Sequence, residues 1–205
     1  MKGRRQLQYQ SSPTAAFSLI ELLVVLVVMT LLLTLYWNHG PSKRDVALGA
    51  CRQNLEKVYL ALQIYSRENG DKYPVVTNAA TSEQALGLLV PKYTSDTAVF
   101  ICPAAGGEQL PAGKAFADWK ISYAYYMGRQ GKDTDKALMS DAQVDTSSKG
   151  AGATIFSENG RPPGNNHGKH AGNILMGDGS VASITGKEQF PTSYTPPVVL
   201  LNPKP

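Results

Sequence analysis

Cysteine and histidine, which supply nucleophilic thiolates and imidazole metal ligands, are scarce in this sequence, since its 205 residues include only two cysteines and three histidines. His167 and His170 precede Asp178 in one short segment, and imidazole and carboxylate groups are ligands that zinc accepts. Their spacing is not diagnostic of a zinc site, and a fourth ligand is not evident. Side-chain hydrogen bonds that hold a loop to a turn are the simpler interpretation, so we assign no metal ligands.

The two cysteines, Cys51 and Cys102, could form one disulfide if they lie in an oxidising compartment. The alternative is that both are small, buried apolar residues with free thiols. The sequence has no C-x-x-C motif and no local cluster of cysteine with histidine, so it indicates neither zinc nor redox chemistry. It also has no G-x-S-x-G, H-E-x-x-H or P-loop motif, and we predict that the chain is not an enzyme.

Glu21 is unusual because it lies within the apolar block Phe17–Trp37, which contains no lysine or arginine. As a helix this block would span about 31 Å, close to the thickness of the hydrocarbon core of a bilayer. A carboxylate in that environment is costly and needs a partner. If the chain were cut after Ala16, the new α-amine of Phe17 could pair with Glu21 in the same chain or in a staggered neighbour. The alternative is a glutamate that reaches toward the interface without a further role.

Basic residues are concentrated before the apolar block, where residues 1–16 contain Lys2, Arg4 and Arg5 and no acid. Such a segment should stay in the cytoplasm, which places the rest of the chain in the periplasm, beyond the inner membrane. An ordinary secretory signal would have a shorter apolar core followed by a small-residue cleavage site, whereas here Ala15–Ala16 precedes the core. The remainder of the chain has no basic stripe interleaved with aromatic residues, so nucleic-acid binding is not expected.

A second, amphipathic helix is predicted from about Ser42 or Lys43 to Asn69, since apolar residues recur there at spacings of three and four. Gly40-Pro41 predicts a break or kink before this helix, and Asn69-Gly70 suits its C-cap. The apolar stripe consists of Leu55, Val58, Tyr59, Leu62 and Tyr65.

Residues 71–205 predict a β-rich globular domain on which this helix packs, giving an α+β fold. Asp-Gly is a strong signal for a tight turn, so residues 173–184 predict a hairpin around Gly177-Asp178-Gly179. Residues 136–144 could form a helical turn or a loop. The other predicted elements are a short helix at 82–89 and strands at 99–103, 121–127 and 153–157.

The segment Ala16-Phe-Ser-Leu-Ile-Glu21 and the apolar residues after it resemble the prepilin-peptidase motif of type IV pilins and type II secretion pseudopilins. The resemblance covers about residues 12–37. It implies a leader peptide over 1–16, cleavage between Ala16 and Phe17, N-methylation of Phe17 and a role for Glu21 in assembly. Ala16 stands where the family usually has glycine. The pilin fold that it implies has a long N-terminal helix, transmembrane over 17–37 and amphipathic over 38–70, packed on a small antiparallel sheet.

Residues 165–184 resemble the H-x9-DG element of prepilin-type proteins, with His167, Asp178 and Gly179 as the matching residues. That pattern has nine residues between its histidine and its aspartate. Here ten residues separate His167 from Asp178 and seven separate His170 from it. His167 therefore fits the pattern with one inserted residue.

Some major pseudopilins carry a calcium loop, and the resemblance therefore makes calcium the better metal candidate. Asp133, Asp135 and Asp141 are acidic residues in a segment that we expect to be a loop, but they match no EF-hand spacing. No calcium ligands are nominated, and no other cofactor is expected.

The resemblance implies a subunit that assembles through its N-terminal helix into a type II secretion pseudopilus or a type IV pilus-like filament. Its partners would be other pilin or pseudopilin subunits, the prepilin peptidase, the inner-membrane assembly platform and membrane lipid. One alternative is a membrane-tethered periplasmic binding or sorting protein that uses the prepilin signal only for export. A third hypothesis is a periplasmic enzyme with a signal anchor. The sequence leaves open which secretion or pilus system is served and whether the subunit is major or minor.

Overall fold

The computed structural model describes residues 17–37, 42–184 and 191–205. The chain divides into two compact units, residues 1–41 and residues 42–205. The predicted leader over residues 1–16 and the predicted break at Gly40-Pro41 lie outside the described residues.

The first unit contains one described helix, α1 (Leu19–Trp37). All of its residues are exposed, and it is the one described helix that is long and apolar enough to cross a membrane. The hydroxyls of Thr30 and Thr34 each donate a hydrogen bond to the carbonyl three residues earlier, at 2.8 Å. These polar groups are therefore satisfied within the helix, as an apolar environment requires.

The second unit begins with α2 (Lys43–Glu68), whose limits match the prediction closely. Its start is fixed by a capping box, in which the Ser42 hydroxyl accepts from the Asp45 N–H and the Asp45 carboxylate accepts from the Ser42 N–H. Its end is fixed by Asn69 at the C-cap and by Gly70 at φ +62°, a left-handed conformation that glycine adopts without strain.

One face of α2 packs into the globular unit. Leu55, Val58 and Leu62 are fully buried, and Tyr59 and Tyr65 pack against the same core. Burying a leucine or valine side chain contributes about 1.5–3 kcal/mol, so this stripe is sufficient to hold the helix on the domain. Arg52, Lys57 and Arg67 lie on the exposed face of the helix.

A short helix, α3 (Ser82–Leu86), continues as a 3-10 turn at Gly87–Leu89, which agrees with the predicted helix. The strand predicted at 99–103 is wrong, because Thr97–Phe100 form a 3-10 helix. Asp96 caps this helix by accepting from the Ala98 N–H at 3.1 Å, and the apolar pair Val99 and Phe100 is buried beside α2. A further 3-10 turn lies at Phe116–Asp118.

Five antiparallel strands form a single sheet in the order β4-β3-β2-β1-β5. Their limits are β1 (Tyr123–Met127), β2 (Ala137–Asp141), β3 (Gly172–Met176), β4 (Val181–Ile184) and β5 (Val199–Leu201). The α+β fold class is thus confirmed, with α2 packed on β3 and β4.

Strand β1, which lies between β2 and β5, is buried on both of its faces. Tyr123, Tyr125 and Met127 face the core that contains α2, whereas Ala124 and Tyr126 face a second core on the opposite side of the sheet. This arrangement follows the alternation of side chains along a strand. The second core includes Ile155 and Phe156, from a buried segment that is irregular rather than the strand predicted at 153–157.

Strand β2 corrects the prediction of a helical turn or loop at 136–144. All five of its residues are buried, and a register irregularity between Ala137 and Met139 places these two residues toward opposite cores. Asp141 lies opposite Tyr123 in the ladder and is therefore a core residue, not a loop acid.

Candidate functional site

Glu21 lies in the first turn of α1. At this start of the helix, the backbone carbonyl of Ser18 accepts from the Glu21 and Leu22 N–H groups at 3.0 and 3.2 Å. An acid at this end of a helix is favoured by the helix dipole. Phe17 lies just before this turn and is 80% exposed. Ala16, on the other side of the predicted junction, lies outside the described residues.

The predicted hairpin is present as β3 and β4, joined by Gly177-Asp178-Gly179-Ser180. The Asp178 carboxylate accepts from the Ser180 N–H at 2.8 Å and from the Ser180 hydroxyl at 2.6 Å. These two bonds hold the pKa of Asp178 below its usual value. The Asp178 carboxylate therefore stabilises the turn in which it lies.

Tyr59 of α2 covers this turn, and its hydroxyl donates to the Gly177 carbonyl at 3.0 Å. Gly179 has φ +89°, and a Cβ at this position would lie 2.5 Å from the Tyr59 ring. The Asp-Gly pair thus lets the hairpin turn tightly directly beneath the helix.

The other matching residue of the C-terminal element, His167, belongs to a different group. Its Nε2 atom lies 3.4 Å from the Cys102 Sγ atom and 3.4 Å from an oxygen of Asp141. His170 is exposed, and among the described residues no metal-ligand cluster includes His170 or Asp178. The metal set considered from the sequence, His167 with His170 and Asp178, is not assembled.

Four side chains meet instead in one buried cluster, which we call the thiol–carboxylate cluster. The Cys51 thiol donates to the Asp141 carboxylate at 3.1 Å, and the Tyr123 hydroxyl lies 3.2 Å from the same sulfur atom. One potential ligand atom from each member lies within 4.8 Å of the others. The members are Cys51, Cys102, Asp141 and His167.

Both cysteines carry free thiols in this structure. The structure thus brings together the two residues of the predicted disulfide without bonding them, and the disulfide stays a prediction.

Backbone and side-chain amides fix the Asp141 carboxylate. One oxygen accepts from the Asn173 N–H at 2.6 Å, and the other accepts from the Asn166 side-chain amide at 2.7 Å. The same Asn166 amide also donates to the Ser122 carbonyl at 2.7 Å, which ties the His167 loop to β1. A buried carboxylate with several donors is well satisfied, so its charge can be tolerated in the core.

The ionisation of the cluster is set by burial and by its neighbours. Burial raises the pKa of the Cys51 thiol, which keeps it a proton donor toward Asp141. The pKa of the Cys102 thiol is instead lowered to about 6, because it forms hydrogen bonds with Cys51 and His167. Burial opposes a charged His167, but its bonds to Asp141 and Cys102 prevail and raise its pKa to about 10.

Residues 12–36 match the family model described as the prokaryotic N-terminal methylation motif. The match contains Ala16, Phe17 and Glu21 and covers most of α1. The chain therefore carries the N-terminal motif that is typical of type IV pilin-like proteins. No curated protein and no solved structure gives a significant match to it. The resemblance of residues 165–184 to the H-x9-DG element stays a prediction.

The motif and the apolar helix are consistent with prepilin processing and membrane anchoring. The thiol–carboxylate cluster was missed by sequence reasoning, because its members come from α2, the segment after a 3-10 helix, β2 and the loop before β3. Asp133 and Asp135 do not join it. Asp133 accepts from the Gln130 N–H in its own turn, and Asp135 pairs with Lys136 at the surface.

Proposed function

We propose that this chain is a pseudopilin-type subunit that is cut between Ala16 and Phe17 and then assembles through α1 into a type II secretion pseudopilus or a pilus-like filament. Its partners would be other subunits, the prepilin peptidase and the inner-membrane assembly platform. The proposed role is mechanical and assigns no catalysis to the chain.

The observation that carries the proposal is Glu21 in the first turn of a fully exposed apolar helix, inside the methylation motif. An acidic residue near the centre of a membrane helix costs about 2.5–3.5 kcal/mol on insertion scales, and less toward its end. A helix that served only as an anchor would be more stable in the membrane without this residue. The cost is offset if Glu21 pairs with the α-amine of Phe17 in a neighbouring subunit.

The arrangement of charge supports the proposed topology. Lys2, Arg4 and Arg5 precede α1, and such basic residues favour the cytoplasmic side of a membrane. Tyr36 and Trp37 end the helix, where aromatic residues suit the opposite interface. The globular unit would then lie in the periplasm, anchored in the inner membrane by a single span.

The exposed surface of α1 supports assembly between helices. Apart from Glu21, its surface is formed mostly by apolar side chains, and its two threonine hydroxyls are bonded within the helix, so the surface is available for packing against other helices or lipid. Packing between membrane helices depends on close contact and on pairing of the few polar groups. Glu21 is the one ionisable carboxylate of α1, and it can therefore set the axial register between subunits.

The experiment that tests the proposal compares Glu21→Ala with Thr34→Ala in the source organism. Thr34 is a suitable control because its hydroxyl bonds only within its own helix among the described contacts. We expect Glu21→Ala to insert into the membrane normally but to lose filaments and secretion, whereas Thr34→Ala keeps both. Filaments and secretion that persist in Glu21→Ala would contradict the assembly role and favour the tethered binding or sorting protein.

A further inference from the structure

We propose that the thiol–carboxylate cluster is a structural zinc site, in which Cys51, Cys102, Asp141 and His167 each supply one ligand to a single Zn²⁺ ion. The inference concerns the globular unit and does not depend on the proposed filament function.

The spacing of the four side chains fits a tetrahedral ion. Zinc bonds of about 2.3 Å to sulfur and 2.0–2.2 Å to nitrogen or oxygen require ligand atoms about 3.3–3.8 Å apart. Two separations lie in this range: Cys102 Sγ to His167 Nε2 at 3.4 Å, and Asp141 Oδ2 to His167 Nε2 at 3.4 Å. Cys51 Sγ lies slightly closer, 3.1 Å from the other Asp141 oxygen, Oδ1. All ligand atoms lie within 4.8 Å of one another, so small side-chain rotations suffice to centre an ion among them.

The donor set also favours zinc over calcium. Two thiolates and one imidazole are soft or borderline ligands, and they suit zinc, whereas calcium takes six to eight oxygen ligands. Four protein ligands with no open position are typical of structural rather than catalytic zinc sites. Two thiolates and one carboxylate would leave a net charge of −1 around a divalent ion.

The surrounding residues hold the ligands as the outer shell of a metal site does. Asp141 is oriented by the Asn173 N–H and the Asn166 amide, and the Tyr123 hydroxyl is placed to donate to a Cys51 thiolate. The Asn54 amide donates to the Ile101 carbonyl at 2.9 Å, which fixes the residue directly before Cys102 against α2. Hydrogen bonds therefore hold either each ligand itself, as for Asp141 and Cys51, or the residue directly before it, as for Cys102 and His167.

A route for an ion exists on the side of His167. A pocket of about 700 Å³ lies between the start of α2 and the loop before β3, and His167 lines it. His170 lines the same pocket but does not belong to the cluster. His170 is thus a matched control for His167, in the same loop and at the same pocket.

Two metal-free arrangements compete with this proposal. The first is the hydrogen-bonded cluster itself, with a protonated His167 beside Asp141. The second is the Cys51–Cys102 disulfide, which an oxidising compartment permits. A zinc site differs from both because it needs two thiolates and an imidazole at once.

The test uses the purified full-length protein in detergent, isolated from membranes without reducing agent. Zinc content is measured by mass spectrometry after dialysis, and the ion is then replaced with Co²⁺. We expect about one zinc per chain and, with cobalt, a thiolate-to-metal charge-transfer band with tetrahedral ligand-field absorption. Added zinc should also raise the Tm of the metal-stripped protein.

Variants then assign the ligands. His167→Gln and Cys102→Ser should lose stoichiometric zinc, and Asn166→Ala should weaken binding by about 10–100-fold, as outer-shell changes do. His170→Ala should bind zinc as the parent protein does. The cobalt spectrum of the unaltered chain tests thiolate ligation even if a variant fails to fold.

Two results would overturn the proposal. One is a full-length protein that takes up no zinc and shows no cobalt–thiolate band. The other is a Cys51–Cys102 disulfide in the isolated protein, because oxidised sulfur atoms cannot supply the two thiolates. Equal zinc binding by His167→Gln and the parent protein would likewise contradict the assigned ligand set.

Discussion

The hydroxyl of Tyr59 on α2 donates to the Gly177 carbonyl in the β3–β4 turn, across 118 positions of sequence, at 3.0 Å. This contact joins the helix that leads into the globular unit to the C-terminal hairpin. It explains why glycine suits position 179 of this turn, because the Tyr59 ring lies too close for a residue with a Cβ.

Removing this hydroxyl should destabilise the domain modestly. Tyr59→Phe keeps the ring and loses one hydrogen bond, which predicts a loss of about 0.5–1.5 kcal/mol in the free energy of unfolding. Leu60→Ala is the control, since Leu60 is 63% exposed and should change little. Thermal unfolding of the detergent-solubilised chain measures both, and equal Tm values for Tyr59→Phe and the parent would contradict the contact.

Gly179→Ala should be more damaging, because it combines two costs. A residue with a Cβ loses about 1–2 kcal/mol in the left-handed conformation, and this Cβ would also press on the Tyr59 ring. Gly152→Ala separates the two effects, since Gly152 has φ +79° but has no atom within 4 Å of the added Cβ. We expect the fall in Tm to be clearly larger for Gly179→Ala, and a fall no larger than that of Gly152→Ala would exclude the clash.

The Asp178 turn should lose stability in acid. The folded-state pKa of Asp178 is lowered from its usual 3.8, so its contribution is present above about pH 4 and is lost as pH falls through the lowered pKa. Asp178→Asn keeps an oxygen that can accept from Ser180 but cannot be protonated. Its Tm should therefore fall less between pH 4 and pH 2 than that of the parent, and parallel pH profiles would show that Asp178 does not contribute.

Asp141→Ala should destabilise the core strongly, whether or not a metal is bound. The change leaves the Asn173 N–H and the Asn166 amide without their buried acceptor, and each such loss costs about 1–3 kcal/mol. Asp135→Ala is a control at a surface ion pair close by in the sequence. A Tm for Asp141→Ala similar to that of the control would contradict the buried role.

Local signals were sufficient to predict much of the fold. Apolar periodicity and Asn69-Gly70 gave the limits of α2, and Asp178-Gly179 gave the hairpin. Strand β2 was missed because it is buried on both faces and lacks the alternation of a half-exposed strand. At Val99–Phe100 a short apolar run fits a strand or a helical turn equally, and the Asp96 cap was the signal that could have decided between them.

The cluster could not be predicted in the same way. Asp141 was read as a loop acid only because β2 was missed, and Cys51 and Cys102 have no local motif. Their meeting depends on how α2 lies across the sheet, which is a property of tertiary packing. His167 was singled out by the sequence, but its partners prove to be Asp141 and Cys102 rather than Asp178.

Mass spectrometry of the mature N-terminus, on protein isolated from its own membranes, directly tests whether the chain is processed as a prepilin. Processing at the methylation motif predicts a chain that begins at Phe17 and carries one methyl group on its α-amine, which places this amine one helical turn from Glu21. A mature protein that retains residues 1–16 would exclude this processing and the proposed pairing, because Glu21 would then have no N-terminal amine one helical turn away.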